Sequence, residues 1–113
     1  MPKDDTVYVL HMLETARKAV SKVQGKTRAE YDADEDLRIV LTHLVQIIGE
    51  AARHISPQFR EAHAAIPWKA IMGMRHKVVH DYLNVDEDIL WDTVTNELGP
   101  LIAELEGLRS ERG

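Results

Sequence analysis

The chain has 113 residues, no cysteine and a formal net charge of −5. This length fits one domain, residues 1–113, and can bury a core without staples; lack of cysteine excludes disulfides and zinc–thiolate sites and leaves a cytoplasmic protein as the default. Hydrophobic residues at 44% and charged residues at 29% describe a folded chain rather than a disordered one, and the acidity argues against a surface that binds nucleic acid throughout.

Helical spacing dominates and strand signals are nearly absent. The opening Met1-Pro2-Lys3-Asp4-Asp5 lacks the apolar run of a signal peptide, and no stretch approaches the ~20 apolar residues of a membrane span. From about Asp5 to Gln24, Val9, Leu13, Ala16, Val20 and Val23 recur at steps of three and four and form one apolar face, with Gly25 as the stop. The polar residues 25–34 read as a loop. A second helix is expected after Asp34, with Glu35 and Asp36 in its first turn, where the helix dipole favours acids. Its stripe is Leu37, Leu41, Leu44, Ile48, Ala51 and Ile55, widened by Val40, Val45 and Ile47. Ser56-Pro57 ends it and can start a short helical turn through Phe59 to Ala64.

A third long helix is expected from Pro67 to about Leu83, and a fourth from a cap at Asn84 and Glu87 to about Leu108. The fourth carries a seam of Trp91, Val94, Leu98, Leu101, Leu105 and Leu108, bent at Gly99-Pro100. The fold class that follows is all-α, an up-and-down four-helix bundle with a short extra helical turn.

Charge is uneven along this chain. Residues 51–80 hold Arg53, Arg60, Lys69, Arg75 and Lys77 against Glu61, together with His54, His63, His76 and His80. A basic, histidine-rich segment on an acidic body suits a local anion site, although it also suits chance clustering on solvated faces. In the third helix, Arg75 falls at the centre of the stripe made by Trp68, Ile71, Met72, Val78 and Val79. An arginine there is expensive unless something pairs with it. It can snorkel, pair with a carboxylate such as Glu50, or line a cleft or subunit interface that handles an anion. On a regular helix Arg75 and His80 diverge by ~140°, so a local distortion or a second copy of the helix is needed to bring them together. His76 and His80 stand at i, i+4 with Lys77 where a metalloprotease glutamate would be; two histidines alone supply too few metal ligands.

Arg75-His76-Lys77-Val78-Val79-His80-Asp81-Tyr82 resembles the R-x4-H-x-Y signature of HEPN domains, specifically the HepT-like toxins. Ile48-Gly49-Glu50-Ala51, Ile66-Pro67-Trp68, Gly73-Met74, Val85-Asp86 and Trp91 fit the same family, most closely over residues 37–105. The resemblance implies a helical bundle that forms a homodimer through the motif helix. It implies a metal-independent endoribonuclease, without cofactor, that cleaves tRNA or mRNA as the toxin of a toxin–antitoxin pair. The implied partner is a minimal nucleotidyltransferase antitoxin that silences the toxin by transferring AMP from ATP to Tyr82. Histidine titrates near neutrality, so His80 suits a general base or acid; the planar fork of Arg75 suits a phosphate clamp. His76 can orient the phosphate or move the second proton. Two alternatives stay open: a non-catalytic helical module that docks a nucleotidyltransferase, and a metal-dependent hydrolase using His76, His80 and a nearby acid.

Overall fold

The computed structural model describes residues 3–81 and 84–111. Two long helices form the body: α1 (Lys3–Val23) and α3 (Glu35–Arg53). They run antiparallel, since the start of α1 meets the far end of α3. The buried Asp5 carboxylate accepts from Ser56 N at 2.7 Å and from Ser56 Oγ at 2.8 Å, and the Tyr8 ring stacks on His54 at 4.9 Å. Ser56 in turn caps α4 (Pro57–Ala62) by accepting from Phe59 N, with Pro57 in the first turn where its missing N–H costs nothing.

The expected stripes hold. Leu37, Leu41, Leu44, Val45, Ile48, Ala51 and Ile55 are buried, as are Val9, Leu13, Ala16 and Val23 from α1. Val40 and its neighbour Ile39 are exposed instead, so they do not widen the buried face of α3. Gly25 ends α1 with φ at 74°, the left-handed conformation that glycine adopts without Cβ strain.

Residues 25–34 are not simply a loop. Thr27 and Glu30 form a capping box that starts α2 (Arg28–Ala33), satisfying two backbone donors at once. The hydrogen bond from Thr27 N holds the Glu30 carboxyl below its ordinary range. The reason for the helix is Tyr31: its ring is fully buried against Trp91, 5.0 Å between centroids, and its hydroxyl donates to Glu87. A polar sequence thus folds around one aromatic anchor that periodicity does not register.

The fourth helix keeps its seam, with Val94, Leu98, Leu101, Leu105 and Leu108 buried. It consists of α7 (Glu87–Asp92), a π-helical turn (Thr93–Glu97) and α8 (Leu98–Glu111). Pro100 accounts for the turn. It cannot donate to the carbonyl four residues back, and its ring crowds that carbonyl; the wider turn just ahead, closed by Leu98 N to Thr93 O, relieves the conflict. The helix starts at Asp86, whose side chain accepts from Ile89 N. The expected Asn84–Glu87 cap does not form, because Asn84 is in a strand and Glu87 binds Tyr31. The architecture is all-α with one short hairpin, and no described helix is long and apolar enough to cross a membrane.

Candidate active site

The expected third helix, Pro67 to Leu83, is broken twice. Its first piece is α5 (Trp68–Met72), held by the buried Trp68, whose Nε1 donates to His63 O at 3.0 Å. Gly73 ends it, donating to Lys69 O at 3.0 Å, and a new helix α6 (Met74–Val78) follows. At Val79 the backbone becomes extended and pairs as β1 (Val79–Asp81) with β2 (Asn84–Val85), antiparallel. Asp86 N donates to Val78 O at 2.7 Å and closes the hairpin. Two adjacent β-branched valines explain where the helix stops, since this pair is stiff in a helix and suits a strand.

This break changes the geometry of the motif. Val79 faces Val85 and Asp81 faces Asn84, so His80 is the extra residue of a β-bulge, with no opposite number on β2. Bulges re-aim the strand locally and recur beside active sites. Arg75 stays on α6 while the His80 backbone is extended, so the ~140° divergence of a continuous helix no longer applies. The i, i+4 face shared by His76 and His80 disappears for the same reason. The described part of His80 is its backbone. Tyr82 lies outside the described residues.

Arg75 is exposed and is not held in the apolar core. The turn at Gly73 resets the helical phase, so Trp68 and Ile71 remain buried on α5 while the guanidinium reaches solvent. Glu50 is not its partner; that carboxylate lies 3.8 Å from His54 Nε2. Among the described residues the Arg75 guanidinium makes no hydrogen bond or ion pair. His76 and Lys77 are exposed beside it, so three consecutive side chains of donor or cationic type stand on one short helix. Two of the other histidines of the basic segment are engaged elsewhere, His54 stacked on Tyr8 and His63 packed on Phe59 at 4.4 Å.

A glycine from the body sets the position of this segment. A Cβ on Gly49 would come within 3.2 Å of Ile71 O, so α3 and α5 approach more closely there than a larger residue allows. Spacing alone does not reveal this contact, nor does it reveal where Arg53 and Arg60 reach. Arg53 Nη2 donates to Met72 O at 3.3 Å and Arg60 Nη1 contacts Met72 Sδ at 3.2 Å, which brings both guanidinium groups to the C-terminal end of α5.

The structure is thus a small all-α domain with an exposed arginine on α6 and, five residues on, a histidine at the bulge of β1. The family model for HepT-like ribonucleases matches residues 12–108, and the chain belongs to that family. It is 34% identical over 94 residues to a protein of Caldanaerobacter subterraneus subsp. tengcongensis named "Putative RNase", covering 83% of this chain and 84% of the relative. It is 32% identical over 101 residues to a "Probable ribonuclease HepT" of Thermococcus cleftensis, covering 86% and 92% of the two chains. No solved structure matches.

Proposed function

We propose that the protein is a metal-independent endoribonuclease, the cytoplasmic toxin of a toxin–antitoxin pair, with Arg75 and His80 as catalytic residues. The observation that carries this reading is the exposed Arg75 guanidinium, without a carboxylate partner among the described residues, five positions before a histidine on a β-bulge. RNA carries its own nucleophile, the 2′-hydroxyl beside the scissile phosphate. Cleavage needs a base for its proton, a cation for the charge on the phosphorane, and an acid for the 5′-oxygen that leaves. His80 moves the first proton, Arg75 clamps the phosphate through its planar donor fork, and His76 orients the phosphate or serves the leaving oxygen. The products are a 2′,3′-cyclic phosphate and a 5′-hydroxyl. A homodimer through the motif segments brings two copies of these groups to one groove that takes tRNA or mRNA.

The regulatory half of the proposal is a minimal nucleotidyltransferase antitoxin. The Tyr82 hydroxyl attacks the α-phosphate of ATP, pyrophosphate leaves, and the tyrosine carries AMP. That bulky anion close in sequence to Arg75 offsets the cation that substrate needs, as a phosphoryl group does near an arginine.

The test is cleavage of RNA by the purified protein in EDTA, with the products analysed for cyclic phosphate. Arg75→Ala and His80→Ala are each expected to reduce cleavage by at least 100-fold, the scale of losing a positioned proton-transfer or charge-stabilising group, with unchanged helical circular dichroism. Wild-type rates in either variant overturn the assignment, and activity that needs zinc or manganese selects a metal-dependent hydrolase. Intact RNA together with tight binding of the transferase selects a non-catalytic docking module.

A further inference from the structure

The arginines whose side chains the structure describes divide into two sets. Arg17 pairs with Glu106, Arg28 with Asp32 at 2.9 Å and Asp88 at 2.8 Å, and Arg38 lies 3.7 Å from Glu87. These belong to the acidic body, where each guanidinium already has a carboxylate. Arg53, Arg60 and Arg75 have none among the described residues. Two of them converge on a single residue, Met72: Arg53 on its carbonyl and Arg60 on its sulfur. Met72 is three residues before Arg75, a separation that the chain can span by no more than ~11 Å between Cα atoms.

Neither contact at Met72 satisfies a guanidinium. Each arginine uses one nitrogen, on an uncharged acceptor, and keeps the rest of its five-donor fork available. Arg53 is exposed and Arg60 half-buried, so the contacts fix their direction without hiding them. In a chain with net charge −5, carboxylates are plentiful, yet none of the described ones is drawn to this spot. Glu61, the lone acid of residues 51–80, follows Arg60 directly but forms no ion pair with it. Guanidinium groups held in place and left without counter-charge are what binding of a polyanion requires, because the phosphate is then the only strong acceptor on offer.

We infer that Arg53 and Arg60, gathered over Met72, form a phosphate-binding site beside Arg75 that grips the RNA strand to one side of the cleavage point. This rests on the ribonuclease reading and extends it. The site recognises backbone phosphate of single-stranded RNA rather than a particular base, since both groups are guanidinium donors from the last turns of surface helices. It also explains how an acidic protein holds a polyanion: binding charge is concentrated at one place. Arg53 and Arg60 act on binding, whereas Arg75 acts on the reacting phosphate.

The test uses a fluorescein-labelled 2′-O-methyl oligonucleotide, which lacks the nucleophile and is not cut, with binding read by fluorescence anisotropy between 50 and 200 mM KCl. Each neutralised phosphate contributes about 0.7 to the slope of log affinity against log salt on a single strand. Arg53→Gln and Arg60→Gln are each expected to weaken binding about tenfold and to reduce the slope by about 0.7, with an additive effect in the double variant. Arg53→Lys and Arg60→Lys keep the charge and therefore the slope, although they lose the fork; a purely structural role would not separate Lys from Gln in this way. Arg28→Gln, in the paired set, is expected to leave the slope unchanged. Unchanged slopes in the Gln variants overturn the inference, as does loss of transferase binding with RNA binding intact, which assigns the surface to a protein partner. If the oligonucleotide binds as described but RNA is never cleaved, the phosphate site stands and the nuclease reading fails; if RNA is cleaved but the slopes do not change, the nuclease reading stands and the phosphate site fails.

Discussion

Helix α3 and residues 68–86 are stretches of equal length that use their residues in opposite ways. α3 is one unbroken helix of 19 residues, capped by Asp34 and buried along a single face from Leu37 to Ala52. Residues 68–86 hold two five-residue helices, a bulged hairpin and a cap. α3 gives its hydrogen bonds to itself and its apolar face to α1, so stability comes from area removed from water. The second stretch buries Trp68, Ile71, Val78 and Val79 as separate anchors and leaves Arg75, His76 and Lys77 in solvent between them. Regular structure is kept where the core is built and given up where donors must face outward at a set angle.

The largest effect on this contrast comes from the body. Leu41 is completely buried on α3. Leu41→Ala removes its packing and leaves a cavity, an expected loss of about 2–5 kcal/mol by chemical denaturation. Cleavage per folded molecule is expected to hold, because the change lies in the regular body whereas Arg75 stands exposed on a separate short helix. A proportionate loss of specific activity at low temperature, where the variant remains folded, would mean that the two stretches are not separate in function.

The same contrast explains what could be read in advance. The stripes of α1, α3 and the fourth helix are legible because burial along a regular helix repeats with the helix itself. Arg75 stands out in the sequence for the same reason, as a charge where the period calls for an apolar side chain. The broken stretch is not legible in this way. The phase reset at Gly73, the switch to strand at Val79 and the bulge at His80 depend on how the chain packs on Gly49 and pairs with Asn84-Val85, contacts between distant residues that no local period encodes. α2 was hidden for a related reason: a single buried tyrosine and a capping box hold it. Arg53 and Arg60 give only a diffuse excess of charge in the sequence, and their convergence on Met72 needs three elements in place.

A smaller change acts on the seam between the two stretches. In Gly49→Ala the added Cβ meets Ile71 O at 3.2 Å and Met72 O at 3.7 Å, so α5 must give way by a few tenths of an ångström. Overpacking of this kind costs about 1–3 kcal/mol. The displaced backbone is the one that leads into Gly73 and Arg75 and that accepts from Arg53. Cleavage is therefore expected to fall further than stability does, in contrast to Leu41→Ala, measured as kcat/KM alongside a denaturation curve. A stability loss with full specific activity would show that the placement of Arg75 does not depend on the α3–α5 approach.

The smallest effect concerns the far end of the irregular stretch, where α7 is tied back to the body by Tyr31. Burial first, and then the hydrogen bond to Glu87, raise the Tyr31 hydroxyl well above the ordinary tyrosine value. The protonated form is thus favoured in the folded protein. This group's contribution is complete below pH ~10, the unfolded tyrosine value, and is lost as pH rises above it, because the unfolded chain then releases a proton that the folded chain retains. Tyr31→Phe removes the donor and the titration together. It is expected to cost about 1 kcal/mol at pH 8, the net value of one hydrogen bond, and the gap to the parent is expected to narrow between about pH 9.5 and 11, a range set by that unfolded value. Paired urea denaturation curves across this range check the sign. A gap that stays constant with pH would mean that the Tyr31 ring alone, through its packing on Trp91, secures the start of α7.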